Sequence, residues 1–356
     1  MANHHLDRQG VRTMANGNRK IVLVARPQGV PKESDFAIVD APIPEPGPGE
    51  LLVRARYLSV DPLQRLRMNP SSTYGETIPL GTVVWGRQVG TVVASRNPCF
   101  QEGDVVEGML GWQEYAISDG RTERAEYAPG ITRVEPSLAP VSTALGILGM
   151  PGVTAYFAML ELGRPEPGET VVVSAAAGTV GALAGQIARI MGCRVVGLAG
   201  SDAKIVHLKE DLGFDVGINY RTAPDLLEAV RAACPEGIDV YFDNVGGAVR
   251  DTMLRHLRRG ARIALVGRIA HLHESTAPLC PDPQVALMHA RASMHGFIVY
   301  DYEHRAQEAR TAIAGWLADG LLHYRETITE GLENTPRAFI DMLGGANLGK
   351  ALVRLG

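Results

Sequence analysis

Cysteine is scarce in this chain. Four thiols, Cys99, Cys193, Cys234 and Cys280, are scattered through 356 residues with no C-x-x-C pair among them. Structural zinc needs closely spaced thiolates, so no such site is expected. Long apolar runs are also missing, and none reaches the ~20 residues that a membrane span needs. Neither sign of charge dominates: the net charge is −4, with 21% charged residues, which gives no support for a nucleic-acid or membrane surface. Residues 1–19 are polar and lack the apolar core of a secretory signal. They read as a disordered tail in which Met14 is an alternative start, and His4-His5 is too short to argue for metal. Free thiols without a signal point to the cytoplasm.

What is present is core-forming sequence, 46% hydrophobic, in a length that suits two domains. The first part is punctuated by glycine and proline. Lys20 to Val24, Glu50 to Ser59, Val83 to Ala94 and Asp104 to Gly108 read as short strands. The connector Pro42-Ile-Pro-Glu-Pro-Gly-Pro48 cannot be helical. This pattern predicts a compact barrel-like domain to about residue 140. Gly149-Met-Pro-Gly-Val-Thr-Ala-Tyr156 then reads as a turn and a helix start, with Thr154 as its cap.

From Thr170 strands and helices alternate. Val171 to Val173 is a β-branched run, as expected of a strand covered on both faces. Ser174 to Gly181 contains nothing larger than valine, and Val180, Leu183, Ala184, Ile187, Ala188 and Met191 follow the spacing of one helical face. A strand feeding a helix through such a turn aims free N–H groups at an anion. The fingerprint is A-x-x-G-x-x-G, with Ala175 where the first glycine usually stands, and a plain strand–helix turn has similar letters. Further strands at Arg194 to Leu198, Val216 to Asn219, Ile238 to Asp243 and Ala261 to Val266 alternate with helices. This order predicts a doubly wound parallel sheet with ligands at the carboxyl ends of its strands. Gly178, Gly200, Ser201, Asn244 and Gly267 occupy those ends, which favours a dinucleotide.

An NAD-selective site places an acidic residue after the second strand. Leu198-Ala-Gly-Ser201 offers none. Ser201 and Lys204 suit a 2′-phosphate instead, and a lysine–phosphate pair at ~4 Å gains about 4 kcal/mol at an effective dielectric of ~20, before desolvation. Tyr220, at the next strand end, is placed to pack on the adenosine phosphate. The bland readings are a solvated lysine and a core tyrosine. NADP(H) is the expected cofactor.

Several ordered motifs resemble one family. They are Leu58-Ser-Val-Asp-Pro62, Leu148-Gly-Met-Pro-Gly-Val-Thr-Ala-Tyr156, Gly168 to Gly181, Tyr241-Phe-Asp-Asn-Val-Gly-Gly247, Tyr324-Arg-Glu326, Glu330-Gly-Leu-Glu-Asn334 and Asn347-Leu-Gly-Lys350. They are similar to the zinc-independent medium-chain dehydrogenase/reductases, in the branch of prostaglandin, curcumin and alkenal double-bond reductases. The resemblance implies an α/β fold: a GroES-like β-barrel domain (20–145 and 305–356) plus a Rossmann doubly wound parallel sheet (146–304). It also implies a homodimer.

By the same resemblance, cofactor contacts fall on Gly178, Thr179, Val180 and Gly181, on Gly200, Ser201, Lys204 and Tyr220, and on Asn244. They continue at Val266, Gly267 and Ile269, at Phe297, Ile298 and Val299, and at Asn347. Zinc-dependent relatives carry a Gly-His-Glu motif near Gly86-Arg87-Gln88, and its absence implies no metal. Two positions depart from the branch: Leu63 follows Pro62, and Leu272 stands in the loop after Gly267, where tyrosines are usual.

The implied reaction is NADPH-dependent reduction of the C=C bond of an α,β-unsaturated ketone or aldehyde. Charge builds on the carbonyl oxygen, so a donor is required there. Candidate donors are Tyr57, the ribose 2′-hydroxyl of the cofactor, and His271 or His273; Tyr57 and His271 are the candidate catalytic residues, with Tyr57, Trp85, Leu272 and His273 as candidate pocket residues. The plainer readings are a barrel tyrosine, solvated loop histidines and a barrel-core tryptophan. A quinone reductase or an allylic-alcohol dehydrogenase on the same scaffold is the alternative, and a non-catalytic NADPH-binding protein the remote one.

Overall fold

A computed structural model describes residues 17–70, 75–121, 130–137, 139–274 and 281–356. Most of the expected tail, with Met14 and His4-His5, lies outside the described residues, as does Cys280. Gly17 to Arg19 already belong to the first strand, Gly17–Leu23, which pairs antiparallel with Phe36–Pro42.

Six parallel strands build the larger core. Their spatial order is Val216–Asn219, Arg194–Ala199, Thr170–Val173, Ile238–Asp243, Leu257–Leu265 and Ser293–Gly296. Numbered along the chain within this sheet, that order is 3-2-1-4-5-6, the arrangement of dinucleotide-binding sheets. Alternate side chains explain the β-branched run. Val171 and Val173 pack into one cluster with Leu183, Ile187 and Phe242, while Val172 faces the opposite cluster with Val196, Tyr241 and Ile263. The sheet is therefore buried on both faces.

The second sheet has the spatial order Glu326–Glu330, Lys350–Arg354, Leu51–Ser59, Gln88–Ser95, Val105–Gly108 and Ile131–Arg133, with Tyr115–Ser118 also paired to Leu51–Ser59. The last strand of the chain thus returns to the N-terminal sheet, with Leu352 opposite Ser59. Its core holds the rings of Phe36, Trp112 and Phe339, with centroids 5.4–6.3 Å apart.

Two expectations need correction. Thr154 does not cap the helix Met150–Phe157. Gly149 is the N-cap and Pro151 occupies the first turn, which leaves Thr154 inside, donating to the Met150 carbonyl at 2.8 Å. The return to the barrel also does not begin at 305. The helix Ala306–Ala318 buries Ala306, Ala309 and Ile313 in the parallel-sheet core, so the barrel sheet resumes only at Glu326–Glu330.

Candidate functional site: a dinucleotide crevice and an adjoining cleft

The turn after Thr170–Val173 is shaped for an anion. Ala175 adopts a left-handed conformation, φ 49°, so the position of the missing first glycine keeps glycine-like geometry. Gly178 is the N-cap of the helix Thr179–Ile190, and no side chain caps its N-terminus. The first-turn N–H groups remain available, and the helix dipole adds positive potential. A Cβ at Gly181 would lie 2.5 Å from the Ala175 carbonyl oxygen, so only glycine lets the helix approach the turn this closely. Thr179 and Val180 open the helix above it.

Neighbouring strand ends are tied to this turn. Asn244 is buried, with its amide N–H donating to Ser174 Oγ (2.9 Å) and its Nδ2 to the Ser174 carbonyl (2.8 Å). Gly267 passes so close that a Cβ would sit 2.6 Å from the Asn244 carbonyl oxygen. Val266 and Gly267 donate to the Asp243 carbonyl, and Ile269 to that of Asn244. Phe297 donates to the Leu265 carbonyl and stacks on Tyr302, with centroids 5.2 Å apart, and Ile298 and Val299 follow it. From the barrel side, Gly349 donates to the Ala177 carbonyl (3.1 Å), and Asn347 Nδ2 donates to the Gly349 carbonyl (2.7 Å). The sheets therefore meet at the glycine turn.

At the ends of the second and third strands lies a cationic corner. Ser201 Oγ accepts from the Lys204 amide, and Lys204 Nζ donates to the Gly345 carbonyl at 2.7 Å. Burial, helped by the charge of Arg221, lowers the Lys204 pKa from its ordinary value. Asp202 is engaged with Asn219 Nδ2 at 2.7 Å. The sequence reading missed Arg221. Its guanidinium carbon lies 5.9 Å from the Tyr220 ring centroid, and a Cβ at Gly200 would be 3.0 Å from Tyr220 Oη and 3.1 Å from Arg221 Nε. An arginine directly after a third-strand tyrosine was the available signal.

A small, almost wholly apolar cleft is walled by Leu63, Trp85, Met109 and Met150, with Arg67 and Arg87 also in its lining. Asp61, at its edge, caps the helix Pro62–Arg67 and accepts from Ser59 Oγ and from the buried Lys350 ammonium. Arg87 pairs side-on with Glu107 through Nε and Nη2, each at 2.6 Å, with both side chains almost fully buried. The Arg67 guanidinium lies 5.3 Å from the Trp85 ring centroid.

The candidate catalytic residues lie elsewhere. The strand register shifts between Ala55 and Tyr57, and this bulge re-aims the side chain. Tyr57 meets Arg354, which also binds Glu330 on the barrel surface, and does not line the cleft. His271 bonds Glu274 through Nδ1 at 2.9 Å and lies against Gly247, where a Cβ would be 3.3 Å from Nε2. His273 is not a solvated loop residue: it is half-buried near Gly29 and Arg65, and burial lowers its pKa. Leu272 is buried and outside the cleft. Among the described residues, no group of three or more His, Cys, Asp or Glu side chains could hold a metal ion.

Residues 19–125 match the family described as the N-terminal domain of oxidoreductase, and residues 179–315 match the zinc-binding dehydrogenase family. The chain is 42% identical over 343 residues to the NADPH-dependent curcumin reductase of Escherichia coli, covering 95% of this chain and 97% of that protein. It is 42% identical over 329 residues to rat (Rattus norvegicus) prostaglandin reductase 1, covering 92% and 96%. CurA from Vibrio vulnificus, solved in complex with NADPH, superposes with a TM-score of 0.87 at 43% identity, covering 95% and 99% of the two chains.

The sheet order and the anion-ready turn, tied to the second sheet through Gly349, fit an oxidoreductase of the dehydrogenase/reductase class. Similarity over nearly the whole length narrows this. The chain belongs to the medium-chain dehydrogenase/reductase family, in the branch of curcumin, prostaglandin and 2-alkenal reductases.

Proposed function

We propose that this protein uses NADPH to reduce the C=C bond of α,β-unsaturated ketones and aldehydes. Relatives named as curcumin, prostaglandin and 2-alkenal reductases support the substrate class. The cofactor fits the residues present. The uncapped helix at Gly178 suits the pyrophosphate, and Ser201, Lys204, Tyr220 and Arg221 form a corner for the 2′-phosphate. Asn244, Val266, Gly267, Ile269 and Phe297 to Val299 line the path toward the nicotinamide end, with Asn347 at the junction. When bound, NADPH supplies the hydride.

The observation that carries the reaction type is the cleft's chemistry. Alcohol oxidation needs a base within reach of a hydroxyl proton. The one carboxylate lining the cleft, Asp61, is occupied by Lys350, Ser59 and its own helix N-terminus, and no His or Tyr is among the described lining residues. The apolar walls suit a flat conjugated carbonyl. Trp85 and Leu63 form the wall against it.

We assign the barrel domain to residues 20–145 plus the segment from about 323 onward, with the nucleotide domain between. The protein acts as a cytoplasmic homodimer in this reading. Supporting it, the edge strand Ser293–Gly296 lies beside the helix Gln284–Ala290, which exposes Val285 and Met288.

The test is a panel of enones, enals, quinones and allylic alcohols followed at the NADPH absorbance. Turnover of enones such as trans-3-nonen-2-one, with NADPH strongly preferred over NADH, is expected. Turnover confined to quinones or alcohols would replace the proposal.

A further inference from the structure

In a sheet of this order a dinucleotide spans two halves, one over the first three strands and one over the last three. The corner at Ser201, Lys204, Tyr220 and Arg221 belongs to the first half, so the nicotinamide falls to the second. Phe297 to Val299 leave the carboxyl end of the sixth strand, Ser293–Gly296. Phe297 donates to the Leu265 carbonyl at 3.0 Å, and beyond it the Ile298 and Val299 N–H groups take no partner among the described residues. Unpaired backbone donors at a strand end suit an amide ligand. Within the chain the sixth strand is the sheet edge, so strand pairing steadies this stretch from one side only.

A ring stack steadies the other side. Tyr302, in the 3-10 turn Val299–Arg305, stands between two phenylalanines. Its ring centroid lies 5.2 Å from that of Phe297, with planes at 17°, and 4.8 Å from that of Phe157, with planes at 21°. Phe157 is fully buried and ends the helix Met150–Phe157. The Arg305 guanidinium lies 4.8 Å from the Phe157 centroid and is itself held by Glu161 (2.7 Å) and Glu308 (2.9 Å). The stack therefore runs from a pinned ring to the segment with free N–H groups, and Tyr302 is its middle member. Met150, at the other end of the same helix, walls the apolar cleft.

We propose that Tyr302 is a positioning residue: its ring, sandwiched between Phe297 and Phe157, holds the Phe297–Val299 backbone in the shape that receives the nicotinamide. This rests on the NADPH reading of the crevice. Tyr302 acts through the backbone that Phe297 carries, and its ring rather than its hydroxyl does so. A segment fixed before the cofactor arrives costs less to order on binding. The adenosine half lies over the other strands and does not depend on the stack.

The test compares NADPH with adenosine 2′,5′-bisphosphate, which carries the 2′-phosphate but no nicotinamide, by titration calorimetry on the full chain. Tyr302→Leu should weaken NADPH binding roughly tenfold, the order expected for losing two ring contacts, and leave the bisphosphate unchanged. Tyr302→Phe keeps the ring and should restore NADPH binding to the wild-type level. Equal losses for the two ligands, as a merely structural role would give, overturn the assignment. So does unchanged NADPH binding in Tyr302→Leu, or a Tyr302→Phe protein as weak as Tyr302→Leu. If Tyr302→Leu does not fold, Tyr302→Met fills the slot with an adaptable side chain, and the same ratio of affinities decides. Wild-type protein that binds neither ligand would instead contradict the cofactor reading itself.

Discussion

Lys204 and Arg221 bring two cations to one corner, and each has a separate origin in the chain. Lys204 follows the second strand and was legible by its distance from Ser201. Arg221 was not, because its relevance depends on the third strand ending beside Gly200. A hydrogen bond to a charged group contributes about 1.5–3 kcal/mol, so Lys204→Ala or Arg221→Ala should each weaken NADPH binding roughly ten- to hundredfold. Titration calorimetry with NADPH and NADH checks this, and NADH binding should barely move. The aim of Tyr57 was not legible for a related reason: a bulge shifts the register between Ala55 and Tyr57, and no letter there announces it. His273 carries a pH prediction. Burial near Arg65 holds its pKa below the ordinary 6.5, so the unfolded chain takes up the proton first as pH falls. Its contribution to stability therefore declines as pH drops through about 6.5. Urea midpoints at pH 7.5 and 5.5 should differ less in His273→Gln than in the wild type.

Elements with a strong pattern were readable, and those made by context were not. The Val171–Val173 run and the helix after it were plain, because burial on both faces and helical spacing leave marks in sequence. Ser293–Gly296 was invisible, since Ser-Met-His-Gly carries no strand pattern and becomes a strand only by pairing with Leu257–Leu265. The close helix–turn contact predicts that Gly181→Val displaces the N-terminus of Thr179–Ile190. Loss of NADPH binding with the fold retained, as seen by circular dichroism, is the expected result. A second junction ties the C-terminal strand to the Asp-Pro helix. Lys350→Met would strand the Asp61 carboxylate and should cost about 3 kcal/mol. Asp61→Asn/Lys350→Met should recover much of that loss in thermal melts.

At the scale of the molecule, the two sheets and their order along the chain were legible, because glycine–proline punctuation gives way to strand–helix alternation. The place where the chain leaves the nucleotide domain was not, since the helix Ala306–Ala318 is amphipathic in either home and only its packing shows which core it joins. The proposed dimer has its own check. Met288→Glu on the exposed helix beside the sheet edge should yield monomers by light scattering. The central claim is hydride delivery to carbon, with charge passed to oxygen, and product analysis tests it most directly. A linear enone is turned over with NADPH deuterated at the transferring C4 position, and the product is read by NMR. The account predicts a saturated ketone with deuterium on the carbon β to the carbonyl. An allylic alcohol carrying deuterium on its carbinol carbon would contradict it.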